Sequence, residues 1–192
     1  MQRLTPLKVP WQVSPSTPFL RLLATESNGD QPTQLVFAAY FGLKAGRTTR
    51  QEVGFATAAK ASNPHNIVSK SREESETDSL VKIEFQDGLW SRFSPAFSDR
   101  EILNPKKFDF SLIPYSDPPS DVGTWLRDFQ SLWLKAGNCP DPRAYIVESS
   151  AWIDELRLEG FKHFLVEGHD AYAEILARDW KWEEVRKLPQ WW

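Results

Sequence analysis

The chain has one cysteine, Cys139, one methionine and three histidines in 192 residues. A lone cysteine forbids an intramolecular disulfide, and four-cysteine or cysteine–histidine zinc frameworks fail by counting. Such a chain suits a reducing compartment, and a cytoplasmic location is expected. Long apolar runs are missing too: the longest such stretch, residues 35–43, is about half of what a membrane-spanning helix needs. The opening residues carry Pro6 and Pro10 and no run of signal-peptide length, so secretion is disfavoured and no membrane partner is expected. Charge of one sign is not in excess either. Lys plus Arg is 23, Asp plus Glu is 26, and a net charge of −3 gives no polyanion-binding stripe, so nucleic acid is not an expected partner.

What is present is an ordinary globular composition, 41% hydrophobic and 26% charged, with an unusual share of rings, nine Trp and twelve Phe. At about 150 residues per domain the length fits a single domain spanning residues 1–192. Roughly 70% of the unfolded surface can be buried at this size, without a metal or disulfide staple. Aromatic side chains bury large areas with few rotors, which favours a rigid scaffold, most rings serving as core.

Four prolines, Pro6, Pro10, Pro15 and Pro18, mark residues 1–18 as an irregular arm. Residues 19–24 form a short strand, and Gln34 to Phe41, almost continuously apolar, a central strand. Residues 50–61 fit a capped helix or a return strand equally. The stretch 62–79 is polar and charged, cannot offset its ordering entropy by burial, and reads as a mobile loop. Leu80–Phe85 and Leu89–Phe93 alternate on either side of Asp87-Gly88, the pattern of a hairpin. Phe108 to Pro114 suggests an edge strand. Residues 121–136, capped by Ser120 or Asp121 and stopped by Gly137, form the main amphipathic helix, with Trp125, Phe129, Leu132 and Trp133 on one stripe. Then come a strand at 144–148, a short helix capped by Ser149 or Ser150, and a strand at 162–166. Residues 171–187 read as a return strand or, by their helix formers, as a helix; the glycine-containing turn at 167–170 favours the strand. The fold class is α+β: a mostly antiparallel sheet of about five to seven strands with the 121–136 helix packed on one face.

Candidate chemistry is sparse. In a 162–177 hairpin, His163, His169, Asp170 and Glu174 could supply imidazoles and carboxylates for acid–base work, though the spacing of the histidines fits no zinc pair. Lys44, Arg47 and Arg50 follow a strand and form a cationic cluster suited to a phosphate or carboxylate, yet the Gly42 to Gly46 spacing fails the Walker pattern. Cys139 follows a helix C-terminus, where the dipole raises thiol pKa, and no Gly-x-Ser-x-Gly elbow occurs. Trp180, Trp182, Trp191 and Trp192 interleave with charges of both signs, which suits anchoring on a protein partner. With neither a catalytic constellation nor a cofactor motif, the sequence reads as a non-enzymatic interaction or accessory module that binds another protein or itself. The alternative is a small enzyme or anionic-ligand binder built on the 163–174 cluster.

Overall fold

The computed structural model describes residues 1–17, 19–23, 32–42, 79–114 and 121–185. Eleven strands and two helices are described, in the order β1 (Gln2–Pro6), β2 (Gln12–Val13), β3 (Leu20–Leu23), β4 (Thr33–Tyr40), β5 (Ser79–Gln86), β6 (Trp90–Pro95), β7 (Phe108–Asp109), α1 (Val122–Ala136), β8 (Ala144–Glu148), α2 (Ala151–Leu156), β9 (Lys162–Glu167), β10 (Ala171–Ala177) and β11 (Asp179–Val185). The class is α+β, mostly antiparallel, with one main helix. The strands divide between two sheets. The first runs β6-β10-β9-β8-β1-β7; the second runs β11-β5-β4-β2, with β3 also paired to β4. Among the described residues the one parallel pair is β1 with β7.

Alternation along the strands explains the layering. In β5, Val81, Ile83 and Phe85 are fully buried, while Lys82 and Glu84 point away. In β9 and β10 the residues Phe164, Val166, Ala173, Ile175 and Ala177 turn to the same interior as Leu35, Phe37 and Ala39 of β4. The two sheets thus pack face to face over a shared core centred on Trp11, whose ring lies 5.1 Å from that of Phe37. The opposite face of the first sheet is covered as well: Leu4, Tyr145, Val147 and Leu165 pack under Leu103, Phe108 and Ile113. That second covered face explains why His163, Phe164, Leu165 and Val166 of β9 are all buried rather than alternately so.

Three expectations change. Residues 2–6 are not an irregular arm but a strand seated between β8 and β7, since Leu4 is needed under Phe108 and Pro6 falls at the strand's end, where its missing N–H costs nothing to the ladder. The strands on either side of Asp87-Gly88 exist but do not pair with each other. β5 pairs with β4 and β11 in one sheet, β6 with β10 in the other. The turn is a corner: Asp87 adopts a left-handed φ of 56°, and the Thr33 hydroxyl donates to the Gly88 carbonyl, pinning the bend to β4. The chain returns through the same corner at Arg178, whose N–H donates to the Gln86 carbonyl at 3.0 Å. Corners of this kind are a general means of joining two packed sheets. Third, in α1 Leu132 is 37% exposed, so the buried stripe narrows to Phe129 and Trp133.

The hairpin of β9 and β10 is present, with Glu174 opposite Leu165, and residues 171–177 and 179–185 are two strands, β10 and β11, parted by a bend at Arg178. α1 is capped by the Asp121 carboxylate, which accepts from Thr124 N–H at 3.1 Å, and ends at Gly137 with φ 71°. It meets the body where Trp133 packs edge-on to Tyr40 at 5.8 Å. No described helix is long and apolar enough to cross a membrane. The helix-or-strand segment 50–61 and the polar stretch 62–78 lie outside the described residues.

Candidate functional site

The first sheet's outer face carries two polar groupings. One surrounds Glu174. Register places Glu174 of β10 opposite Arg92 of β6, and Leu176 opposite His163 of β9, so the carboxylate sits between guanidinium and imidazole. Arg92 grips it with two bonds, Nε to Oε2 at 2.7 Å and Nη2 to Oε1 at 2.9 Å, and Lys107 Nζ donates to Oε1 at 3.3 Å. Burial alone would raise this carboxyl, but His163, Arg92 and Lys107 together outweigh it and hold it at about 2. His163 Nε2 lies 3.2 Å from Glu174 Oε1, in ion-pair range but outside hydrogen-bond geometry. Burial lowers the imidazole's pKa despite that carboxylate, so the ring is neutral at pH 7.

On the other side of the ring, Nδ1 is 2.8 Å from Ser150 Oγ. That hydroxyl also accepts from Ile153 N–H at 3.3 Å as the N-cap of α2. Serine, histidine and glutamate therefore lie in the order of a charge relay, but no hydrogen bond joins imidazole to carboxylate, Ser150 is 4% exposed, and His163 and Glu174 are each 1% exposed. The serine oxygen already serves a helix cap, and Trp152 closes edge-on over the imidazole at 5.5 Å while Arg92 stacks on that indole at 4.2 Å. A nucleophile needs a face open to its substrate, and this one is enclosed. Its chemistry is that of a buried ion cluster holding β6, β9, β10 and α2 in register.

The sequence-derived set thus divides. His163 and Glu174 meet inside, whereas His169 and Asp170 are exposed at the far tip of the hairpin. Trp180 and Trp182, expected to face a partner, are half-buried and pack on the inter-sheet core: Trp182 meets Trp11 at 6.0 Å and Trp180 meets Phe164 at 6.3 Å. Lys44, Arg47, Arg50, Trp191 and Trp192 lie outside the described residues. Cys139 is buried beside Phe129 and Trp133, and burial pushes its thiol far above the usual range.

The other grouping was not anticipated from the sequence. A cleft of about 450 Å³ opens between the N-terminal half of α1 and the end of the first sheet. Its walls include Phe110, Tyr145, Leu126 and the stacked pair Trp125 and Phe129, whose ring centroids are 5.5 Å apart. Its polar lining comes from the approach to β8 and the end of β9. Arg143 pairs with Glu167, both largely covered, and Asp141 Oδ1 accepts from Tyr145 Oη at 2.7 Å and from Arg143 N–H at 3.2 Å. Burial raises the Glu167 carboxyl, with Arg143 drawing it back only in part, and burial raises the Tyr145 phenol well above its ordinary value, so that it stays a donor. Arg143 itself has a φ of 56°, an uncommon conformation for a residue other than glycine, held by these bonds. Little in the sequence announces this site: Asp141, Arg143 and Tyr145 alternate within one short run, but Glu167 and α1 come to them only through the fold. Among the described residues no group of His, Cys, Asp and Glu is arranged to hold a metal ion.

No protein-family model matches the chain, and no curated protein or solved structure similar to it is found.

Proposed function

We propose that the protein is a non-enzymatic interaction module and that another protein docks along the outward ridge of α1. One observation carries this reading. Val122, Leu126 and Leu134 fall on a single ridge of fourth-residue spacing, and they are 60%, 45% and 50% exposed. A helix that buries two side chains and turns four large aliphatic ones, these three and Leu132, to water gains little from its own body, and a partner's apolar surface restores the missing burial. The ridge borders the ring-walled cleft through Leu126, so apolar and aromatic surface are continuous there, as in the centre of a protein interface. The alternative of a catalytic centre at residues 163–174 is less well supported, since His163 and Glu174 are each 1% exposed and His169 and Asp170 lie apart from them at the hairpin tip.

The test is a displayed random-peptide library panned on the full chain, with Leu126→Asp and Leu134→Asp as comparison proteins. Recovered peptides are expected to bind the parent chain and to bind Leu126→Asp about tenfold more weakly, the scale of an interface anchor lost. No enrichment, or equal affinity for parent and variants, overturns the reading.

A further inference from the structure

We propose that the cleft beside α1 receives a cationic side chain, the guanidinium or ammonium of an Arg or Lys carried by the docking partner. This deepens the reading above and rests on it. Two carboxylates, Asp141 and Glu167, line the cleft against one guanidinium, Arg143, which is already paired with Glu167. The surplus charge is therefore negative and lies on Asp141, which has donors from Tyr145 and the Arg143 backbone but no cationic side chain among its hydrogen-bond partners. An anionic occupant would have to break the Arg143–Glu167 pair and then face Asp141. A purely apolar one would strip water from a carboxylate and return nothing for it.

A cation meets neither cost, and ring faces on the walls favour it further, since the π-cloud of an aromatic ring attracts positive charge in a desolvated cleft. The carboxylate is also fixed in advance. The Arg143 carbonyl accepts from Glu167 N–H at 2.8 Å, and the Gln12 amide donates to the Asp141 carbonyl at 2.8 Å, so the polar lining is tied to β2, β8 and β9 before anything binds.

The experiment titrates four blocked tripeptides, acetyl-Gly-X-Gly-amide with X as Arg, Lys, Gln or Glu, into the ¹⁵N-labelled full chain. The indole N–H of Trp125, identified by its loss in Trp125→Phe, is the reporter. Arg and Lys peptides are expected to give a saturable shift, and Asp141→Asn, which keeps the acceptor for Tyr145 but removes the charge, to weaken it about tenfold or more. Trp125→Ala, followed through neighbouring backbone resonances, is expected to weaken it as well, so a poorly folded Asp141→Asn does not end the test. The proposal is overturned by no saturable shift with Arg or Lys, by Gln or Glu peptides binding as well, or by full affinity in Trp125→Ala or a folded Asp141→Asn. Library peptides that lack basic residues yet depend on Leu126 leave the docking reading standing while sinking the cation site. Tripeptide binding without any Leu126-dependent library peptide does the reverse.

Discussion

Glu174 is the most consequential single side chain described, because a carboxylate that is 1% exposed is matched by two cations that reach water, Arg92 at 43% and Lys107 at 35%. Glu174→Ala is expected to destabilise the fold by about 2–3 kcal/mol in urea unfolding, below the usual cost of breaking a buried pair because both orphaned cations can turn to solvent. Glu174→Gln keeps acceptor capacity for Arg92 and is expected to lose less. An unchanged urea midpoint for Glu174→Ala would show that the cluster adds nothing to stability. The residue's role was half visible in the sequence: a lone carboxylate in Ala-Tyr-Ala-Glu-Ile-Leu-Ala asks for a buried partner. His163 could be named as that partner from the hairpin pattern, but Arg92, Lys107 and Ser150 could not. They are 82, 67 and 24 positions from Glu174, and only strand register and the α2 cap bring them near.

Among the elements, the corner at residues 87–89 decides how the sheets are joined. A Cβ on Gly88 would stand 2.9 Å from the Phe85 Cβ and 3.0 Å from the Thr33 Cβ, with no flexible side-chain end to yield. Gly88→Ala is expected to cost about 1–3 kcal/mol as overpacking, whereas Gly137→Ala, with open space around it, costs only the left-handed backbone strain of about 1–2 kcal/mol. A loss below about 1 kcal/mol for Gly88→Ala in chemical denaturation would argue that the corner is not tightly packed. Local signals served well for elements whose identity is local: the β4 run, the Asp121 and Gly137 caps of α1, the Ser150 cap of α2 and the β9–β10 turn all formed as their residues imply. They failed for pairing. Asp87-Gly88 between alternating strands has the chemistry of a hairpin, and whether the second strand folds back or crosses to another sheet depends on where Trp90 and Arg92 find partners, at Leu176 and Glu174. The cleft was invisible for the same reason, since its walls come from five separate stretches of chain.

For the whole molecule, the pH response follows from groups whose protonation differs between folded and unfolded chains. His163 has a folded pKa below its ordinary 6.5, so the unfolded chain takes the proton first and stability falls as pH drops below about that value. Glu174, held at about 2 against an ordinary 4.5, contributes stability that is present above 4.5 and lost between there and about 2. Glu167, raised by burial, works the other way and recovers part of the loss as it protonates in the folded chain. Thermal midpoints are expected to decline from pH 7 to pH 3, with His163→Gln flattening the upper part of the decline; a profile level across that range would contradict both assignments. A further consequence comes from the place of β1. Arg3 pairs with Asp109 on one side and Glu148 on the other, so β1 waits through about 106 further residues for its first neighbour and about 145 for its second, roughly 5–30 s at ordinary elongation rates. Through that interval Leu4 stays unsheltered on the nascent chain, a stretch that chaperones can hold, and the first sheet is completed only once β10 has been made.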